Sequence, residues 1–235
     1  MSNEKNIKPI AYIHTDFKTK FGVPRQSGLA NDLEAKIIFE PEYRNQEACR
    51  ELESFSHIWL IWGFSHAEYD SFSPTVRPPR LGGNTRVGVF ASRSPFRPNS
   101  LGLSSVRLKS IDHNENLGNV LTVLGADLVD MTPIYDIKPY LPFTDSHPDA
   151  VGGYTVDTIK HRLDVVFPEE LLCRIPKEKH GAIYDVLSQD PRPSYQNDSE
   201  RIYGFEFATF DVHFKVDGNM LTVCEVNKIN KTDKR

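Results

Sequence analysis

Leu103–Leu128 reads LSSVRLKSIDHNENLGNVLTVLGADL, and this stretch decides the fold class. Two runs of strand length, 103–111 and 120–128, are rich in Leu, Val and Ile, and the polar tract DHNENLGN between them is full of turn-forming residues. That pattern predicts two antiparallel strands with a hairpin-like connection. Outward from it, Ile10–Ile13 and Lys36–Phe39 are short strand candidates, and Asn45–Leu52 has helix-forming composition. His57–Phe64 (HIWLIWGF) is almost wholly apolar, as a strand covered on both faces would be, although a short buried helix has the same composition. Its two tryptophans are expected in the core. No strand-helix-strand alternation runs through this region. The expectation is therefore a mainly β protein whose N-terminal unit is an antiparallel, barrel-like sheet and not a doubly wound α/β fold.

Leu141–Gly153 is rich in Pro, Asp, Ser and Gly and marks the end of that unit, dividing the chain into 1–153 and 154–235. The second part reads as a small α+β unit. Pro168–Leu172 and Lys179–Leu187 look helical, with Ile183, Val186 and Leu187 on one apolar face. Phe205–Val216 (FEFATFDVHFKV) reads as one alternating strand, Asp217-Gly218 supplies a type I′ turn signal, and Leu221–Val226 returns as its partner.

A formal net charge of -4 excludes a uniformly basic nucleic-acid coat, so a polyanionic partner must be met by a local patch. Arg77–Gly102 (RPPRLGGNTRVGVFASRSPFRPNSLG) is the candidate: five arginines, four glycines, repeated prolines, and no Asp, Glu or Lys. Arginine rather than lysine suits oriented recognition of carboxylate or phosphate, and proline with glycine implies an irregular backbone of fixed shape. The bland alternative is a solvated loop paired with acids elsewhere.

Cys49, Cys173 and Cys224 are widely spaced with no CxxC pair, which argues against a disulfide framework, against a zinc site and for a reducing cytoplasm. No metal is expected. The longest apolar run, Ile58–Phe64, falls far short of the roughly 20 residues of a membrane span, so no membrane association is expected. Rossmann, P-loop and zinc-hydrolase signatures are missing. Ser94 lies in RSPF, outside any nucleophile elbow, and is expected to turn the backbone.

Four segments are more polar or turn-rich than a core requires: Val23–Gln26, Ser65–Ala67, the arginine segment and Asp130–Tyr140. Asp130 has two readings, a carboxylate that binds ligand hydroxyls or an Asx-turn capping its own backbone. His66 is either a hydrogen-bonded rim residue or a ligand contact. Asp136 and Lys138 occupy alternate positions of a short strand. In the second unit, Asp190, Arg192 and Tyr195 of QDPRPSY, with Arg201 and Tyr203 beyond, suit an unpaired nucleotide held by guanidinium and ring, or equally a salt bridge with a packed tyrosine.

On these residues the chain resembles the TsaA/TrmO-like family of S-adenosylmethionine-dependent tRNA (adenine-N6)-methyltransferases. PTVRPPRLGGNTRVGVFASRSPFRPNSLG, FSHIWLIWGF and DLVDMTPIYDIKPYLPF look like its N-terminal signatures, and LSQDPRPSY with YGFEFATFDVHF resembles its C-terminal domain. The resemblance implies a homodimer with a β-barrel domain that binds S-adenosyl-L-methionine. It implies cofactor contacts at Pro24, Arg25, Gln26, His66, Ala67, Arg93, Leu103, Asp130, Met131, Thr132 and Pro133. The implied acceptor is adenosine 37 of a tRNA anticodon loop, already carrying a threonylcarbamoyl group, in threonine tRNA. Two departures stand out: Met131 where the family commonly has glycine, and Ser100 where it commonly has proline.

Methyl transfer from a sulfonium is mainly a problem of alignment, but the exocyclic N–H must lose its proton. Asp130 and Asp136 are the candidates for that proton, Arg93 and Arg97 for anion contacts, and Arg97, Lys138, Asp190, Arg192 and Tyr195 for substrate contacts. The alternative is a non-enzymatic, S-adenosylmethionine-responsive tRNA-binding module.

Overall fold

The computed structural model describes residues 6–64, 72–78, 81, 85–158, 162–192 and 198–229. Six strands close an antiparallel barrel: β1 (Ala11–His14), β2 (Glu34–Phe39), β3 (His57–Gly63), β6 (Leu101–Asn114), β7 (Gly118–Leu124) and β8 (Thr132–Pro139), in the order β1-β2-β7-β6-β3-β8. β4 (Thr75–Val76) and β5 (Val87–Gly88) form a separate two-stranded ribbon. The chain is mainly β, as expected. β6 and β7 are the hairpin read at 103–128, and the Asn114 side chain closes its turn by accepting from the amides of Asn116 and Leu117. β7 stops at Leu124 and not at Leu128, because Gly125 takes a positive φ of 77° and turns the chain across the barrel end. Asn45–Leu52 forms 3₁₀ turns at Gln46–Cys49 and Leu52–Ser54 in place of an α-helix.

Inside the barrel, Ile13, Ile37, Ile58, Leu60, Leu121 and Ile134 are fully buried. Trp62 joins them, whereas Trp59 lies half-buried on the outer wall, where its indole donates to Asp145 at 2.8 Å. The same Asp145 oxygen accepts the Leu141 amide, and these two donors, the amide first, hold its pKa below the usual range. Side chains alternate in and out along β3, so only Ile58, Leu60 and Trp62 point inward.

A second sheet has the order β10 (Tyr203–Phe207), β11 (Phe210–Asp217), β12 (Met220–Lys228), β9 (Asp164–Val166), with β9 parallel to β12 and the rest antiparallel. α2 (Glu169–Leu172) and α3 (His180–Ser188) accompany it, and α3 buries Ile183, Val186 and Leu187 against the sheet. A short α1 (Pro142–Asp145) follows the barrel. The stretch 205–216 is two strands, not one: Ala208, at φ 55°, turns the chain, and its amide donates to the Asp16 carbonyl at 2.8 Å.

Phe17, Ala30 and Leu33 from the β1–β2 connection lie in this second core, and a Cβ on Gly22 would fall 2.4 Å from the Phe205 ring. The connection is thus clamped between barrel and second sheet. No helix among the described residues is long and apolar enough to cross a membrane, and the three cysteines are free.

Gly102 opposes Trp62 in the β3–β6 ladder, and a Cβ there would lie 2.3 Å from the indole. Gly102→Ala is therefore expected to destabilise the barrel by about 1–3 kcal/mol in urea unfolding, the usual range for overpacking a core. An unchanged midpoint would show that the indole has room to move.

Candidate active site at one end of the barrel

Antiparallel closure sends alternate connections to the same end. The end of β1, start of β2, end of β3, start of β6, end of β7 and start of β8 meet there, as the pairings His14↔Lys36, Glu34↔Leu124, Gly63↔Leu101 and Ile13↔Thr132 show. Residues 15–33, 125–131 and 93–100 gather at this mouth. The first two are stitched together: Gly28 donates to the Gly125 carbonyl, Gly125 to that of Leu33, Asp130 to that of Phe17 and Met131 to that of Ile13, at 2.7–2.9 Å.

Asp130 caps the β1–β2 connection. One carboxylate oxygen accepts the Thr15 amide at 3.0 Å and lies 3.5 Å from His14 Nδ1, while the other is 2.5 Å from Lys18 Nζ. It does not cap its own backbone, so the Asx-turn reading of Asp130 fails: the carboxylate holds the neighbouring connection instead. Thr132 is buried and donates its hydroxyl to Val129, and Met131 sits at φ 63° with half its surface exposed.

Pro24, Arg25 and Gln26 lie in the clamped connection. Arg25 donates to the carbonyls of Asp190 and Arg192 at 3.4 and 3.2 Å, tying the mouth to the second unit. Gln26 accepts from the exposed Arg93 guanidinium at 2.5 Å. Arg97 turns back to its own segment, donating to the Ser92 carbonyl at 2.7 Å and lying 6.0 Å from the Phe90 ring. Ser94 accepts the Phe96 amide and so turns the backbone.

Other residues fall elsewhere. Leu103, Asp136 and Lys138 point out from the barrel wall; Leu103 and Asp136 flank Ile61 in the ladder, and Lys138 pairs with Asp136 at 2.9 Å in the open. Asp136 is therefore remote in orientation from the mouth carboxylates. Arg192 is buried, not surface-displayed: its guanidinium makes a two-pronged bond to Asp190 at 2.8 and 2.9 Å, and that bond, ahead of the opposing burial, raises its pKa. Tyr203 is buried against Phe214, so it stacks inside the protein and offers no face to a base. His66, Ala67 and Tyr195 lie outside the described residues.

A further set escaped the sequence reading. The Trp62 indole donates to Ser104 Oγ at 3.0 Å, and Ser104 Oγ donates to Asp127 Oδ1 at 2.6 Å. An indole only donates, so the serine must accept from it and direct its own proton at the carboxylate. Burial, the largest influence, raises the Asp127 pKa; the Ser104 hydroxyl, its own amide, Arg93 and the Ser27 amide oppose this. The available signals were a serine at an inward-facing position of β6 and an acid closing the apolar run of β7.

Residues 12–146 match the family model described as the tRNA-methyltransferase O N-terminal domain, and residues 160–229 match the TrmO C-terminal domain. The chain belongs to the TrmO family. It is 41% identical over 216 residues to a tRNA (adenine(37)-N6)-methyltransferase of Escherichia coli, covering 88% of this chain and 91% of that one. A putative S-adenosylmethionine-dependent methyltransferase of Pseudomonas aeruginosa is 38% identical over 219 residues, covering 89% and 91%. The crystal structure of TrmO from P. aeruginosa superposes with a TM-score of 0.78 at 31% identity, covering 97% of this chain and 99% of that one. The TrmO fold and a methyltransferase activity follow, and the non-enzymatic alternative falls away.

Two outcomes are expected at the mouth. Met131→Gly relieves a left-handed residue at a strain of about 1–2 kcal/mol, partly offset by glycine's greater unfolded freedom, so it should stabilise the fold by up to about 1 kcal/mol in urea unfolding. A loss of stability would mean that the methionine side chain makes a compensating contact. Because folded Asp127 holds its proton more tightly than the unfolded chain, its contribution is full below the ordinary carboxylate pKa and is lost as pH rises through the raised value. The Tm of Asp127→Asn relative to wild type should therefore move in the variant's favour as pH rises above about 4. A difference independent of pH would contradict the raised pKa.

Proposed function

We propose that the enzyme transfers a methyl group from S-adenosyl-L-methionine to N6 of threonylcarbamoyladenosine at position 37 of a tRNA anticodon loop, that of threonine tRNA. The observation that carries this reading is similarity running through both units to the E. coli tRNA (adenine(37)-N6)-methyltransferase. The P. aeruginosa relative, named for S-adenosylmethionine dependence, supports the donor.

The residues at the mouth fit that donor chemically. S-adenosylmethionine supplies an electrophilic methyl group together with a carboxylate, an ammonium, hydroxyls and an adenine edge. Arg93 is an exposed guanidinium fork for a carboxylate, Gln26 offers an amide beside it, and Pro24, Arg25 and the 130–133 turn border the same mouth. Leu103, on the outer wall, reaches a ligand only where that ligand runs over the barrel rim. Asp130, held by Thr15 and Lys18, fixes the turn that carries Met131, Thr132 and Pro133. His66 and Ala67 complete the cofactor set in this reading.

We take 1–153 as the cofactor-binding unit and 154–235 as the unit that meets tRNA. Arg192 and Asp190 then serve tRNA indirectly, by fixing the carbonyls that Arg25 grips, with Tyr195, Lys138 and Arg97 as the further substrate contacts. The exposed Phe90, Phe96 and Phe143 suit coverage by a second copy, in keeping with a cytoplasmic homodimer.

The test is incubation with methyl-labelled S-adenosylmethionine and bulk tRNA, either natural or lacking the threonylcarbamoyl group, followed by nucleoside mass spectrometry. Label is expected on threonylcarbamoyladenosine of natural tRNA alone. Label on unmodified adenosine, or on no adenosine of either pool, would refute the acceptor.

A further inference from the structure

Three carboxylates invite comparison as the acceptor of the exocyclic proton. Asp130 is committed to the Thr15 amide through one carboxylate oxygen and to Lys18 through the other. Asp136 stands on the outer wall with Lys138. Asp127 differs from both. It faces the mouth from the crossover between β7 and β8 and is only half-buried. The chain from Trp62 through Ser104 holds it by Oδ1, and the Ser27 amide and Arg93 act on it as well.

From this geometry we infer that Asp127 is the general base of the methyl transfer, with Ser104 and Trp62 as the residues that position it. The inference rests on the proposed adenosine N6 reading of the same site. As the acceptor nitrogen's electron pair forms the bond to the methyl carbon, the carbon–sulfur bond breaks and its pair stays on sulfur. The proton on that nitrogen passes to Asp127. The indole fixes where it goes: Ser104 already directs its hydrogen at Oδ1, so the incoming proton goes to Oδ2.

Burial keeps this carboxylate more basic than an ordinary aspartate, toward the range where a base works at neutral pH. Among the described residues, the charged group acting on it is Arg93, across the mouth; β3 and β6 present the neutral Trp62 and Ser104, and the β1–β2 connection presents the Ser27 amide. Removing the serine hydroxyl takes away a donor that favours the charged form, so Ser104→Ala should raise the Asp127 pKa further.

The experiment measures kcat/KM for methyl transfer against pH, and Tm against pH, for wild type, Ser104→Ala and Asp127→Asn. Cofactor binding is followed separately by calorimetry. In wild type, the rate should rise through a midpoint matching the one read from Tm in the free enzyme, and both midpoints should move to higher pH in Ser104→Ala. Asp127→Asn should bind cofactor within about threefold of wild type yet lose about 10²–10⁴-fold in rate, the usual contribution of a general base.

Wild-type rate with an unmoved midpoint in Ser104→Ala, or near-normal turnover in Asp127→Asn, would overturn the inference. If Asp127→Asn fails to fold, the Ser104→Ala midpoints decide. Wild-type enzyme that methylates no adenosine overturns the proposed function itself. Wild-type enzyme that methylates adenosine while the variants behave as it does overturns only the role of Asp127.

Discussion

Closure of the six-stranded antiparallel sheet is the constraint on which the rest of the molecule depends. A closed barrel leaves no free edge, and with strictly alternating strand directions every second connection emerges at the same end. Residues distant in sequence, such as Thr15 and Asp130, become hydrogen-bonded neighbours with no helix or domain interface needed to bring them together. The interior cannot hold a ligand, because Ile13, Ile37, Leu60 and Leu121 fill it. The proposed chemistry therefore belongs at the mouth and rim, where the backbone is irregular.

Such a mouth would be loose if its long connections were free. The second unit removes that freedom. Phe17, Ala30 and Leu33 leave the barrel to join the second core, Lys179 holds Asp16, and Arg25 grips the carbonyls that follow α3. The buried Arg192–Asp190 pair has the same sense: its value lies in fixing those carbonyls, since a two-pronged bond in a nearly dry setting orients more reliably than it stabilises. A unit whose sequence suggests RNA contact is thus also the clamp on the β1–β2 connection, so disturbance in one is felt in the other.

The strands were legible because burial alternates along them, and β6–β7 follows the written pattern, whereas the β11–β12 turn falls one residue later than the Asp217-Gly218 signal, at Gly218 and Asn219, with Asp217 paired to Met220 in the ladder. Where the reading failed, the physical signal was present but slight. In FEFATFDVHFKV the aromatic spacing lengthens from two residues to three between Phe207 and Phe210, and that slip is the hairpin at Ala208. Parity also decides what neighbours in sequence can reach: Leu103 and Ser104 are adjacent, yet one faces out and the other is buried. Asp127 was not legible as a candidate because its contacts come from Trp62 and Ser104, on β3 and β6, two strands that ladder pairing and not sequence spacing sets beside it.

The two departures from the family pattern illustrate different ways of tolerating a substitution. Met131 keeps the positive φ that glycine favours, and its amide still pairs with Ile13, so the backbone path at the mouth is preserved at the expense of strain. What changes is the surface, where an apolar side chain now projects into solvent beside Asp130. Ser100 has φ 46° and donates its amide to the Arg97 carbonyl, and a proline could do neither. The backbone leading into β6 is therefore held by a hydrogen bond where a proline would hold it by its ring. That bond anchors the chain immediately before β6, the strand whose Gly102 lies against the Trp62 indole and whose Ser104 accepts from it.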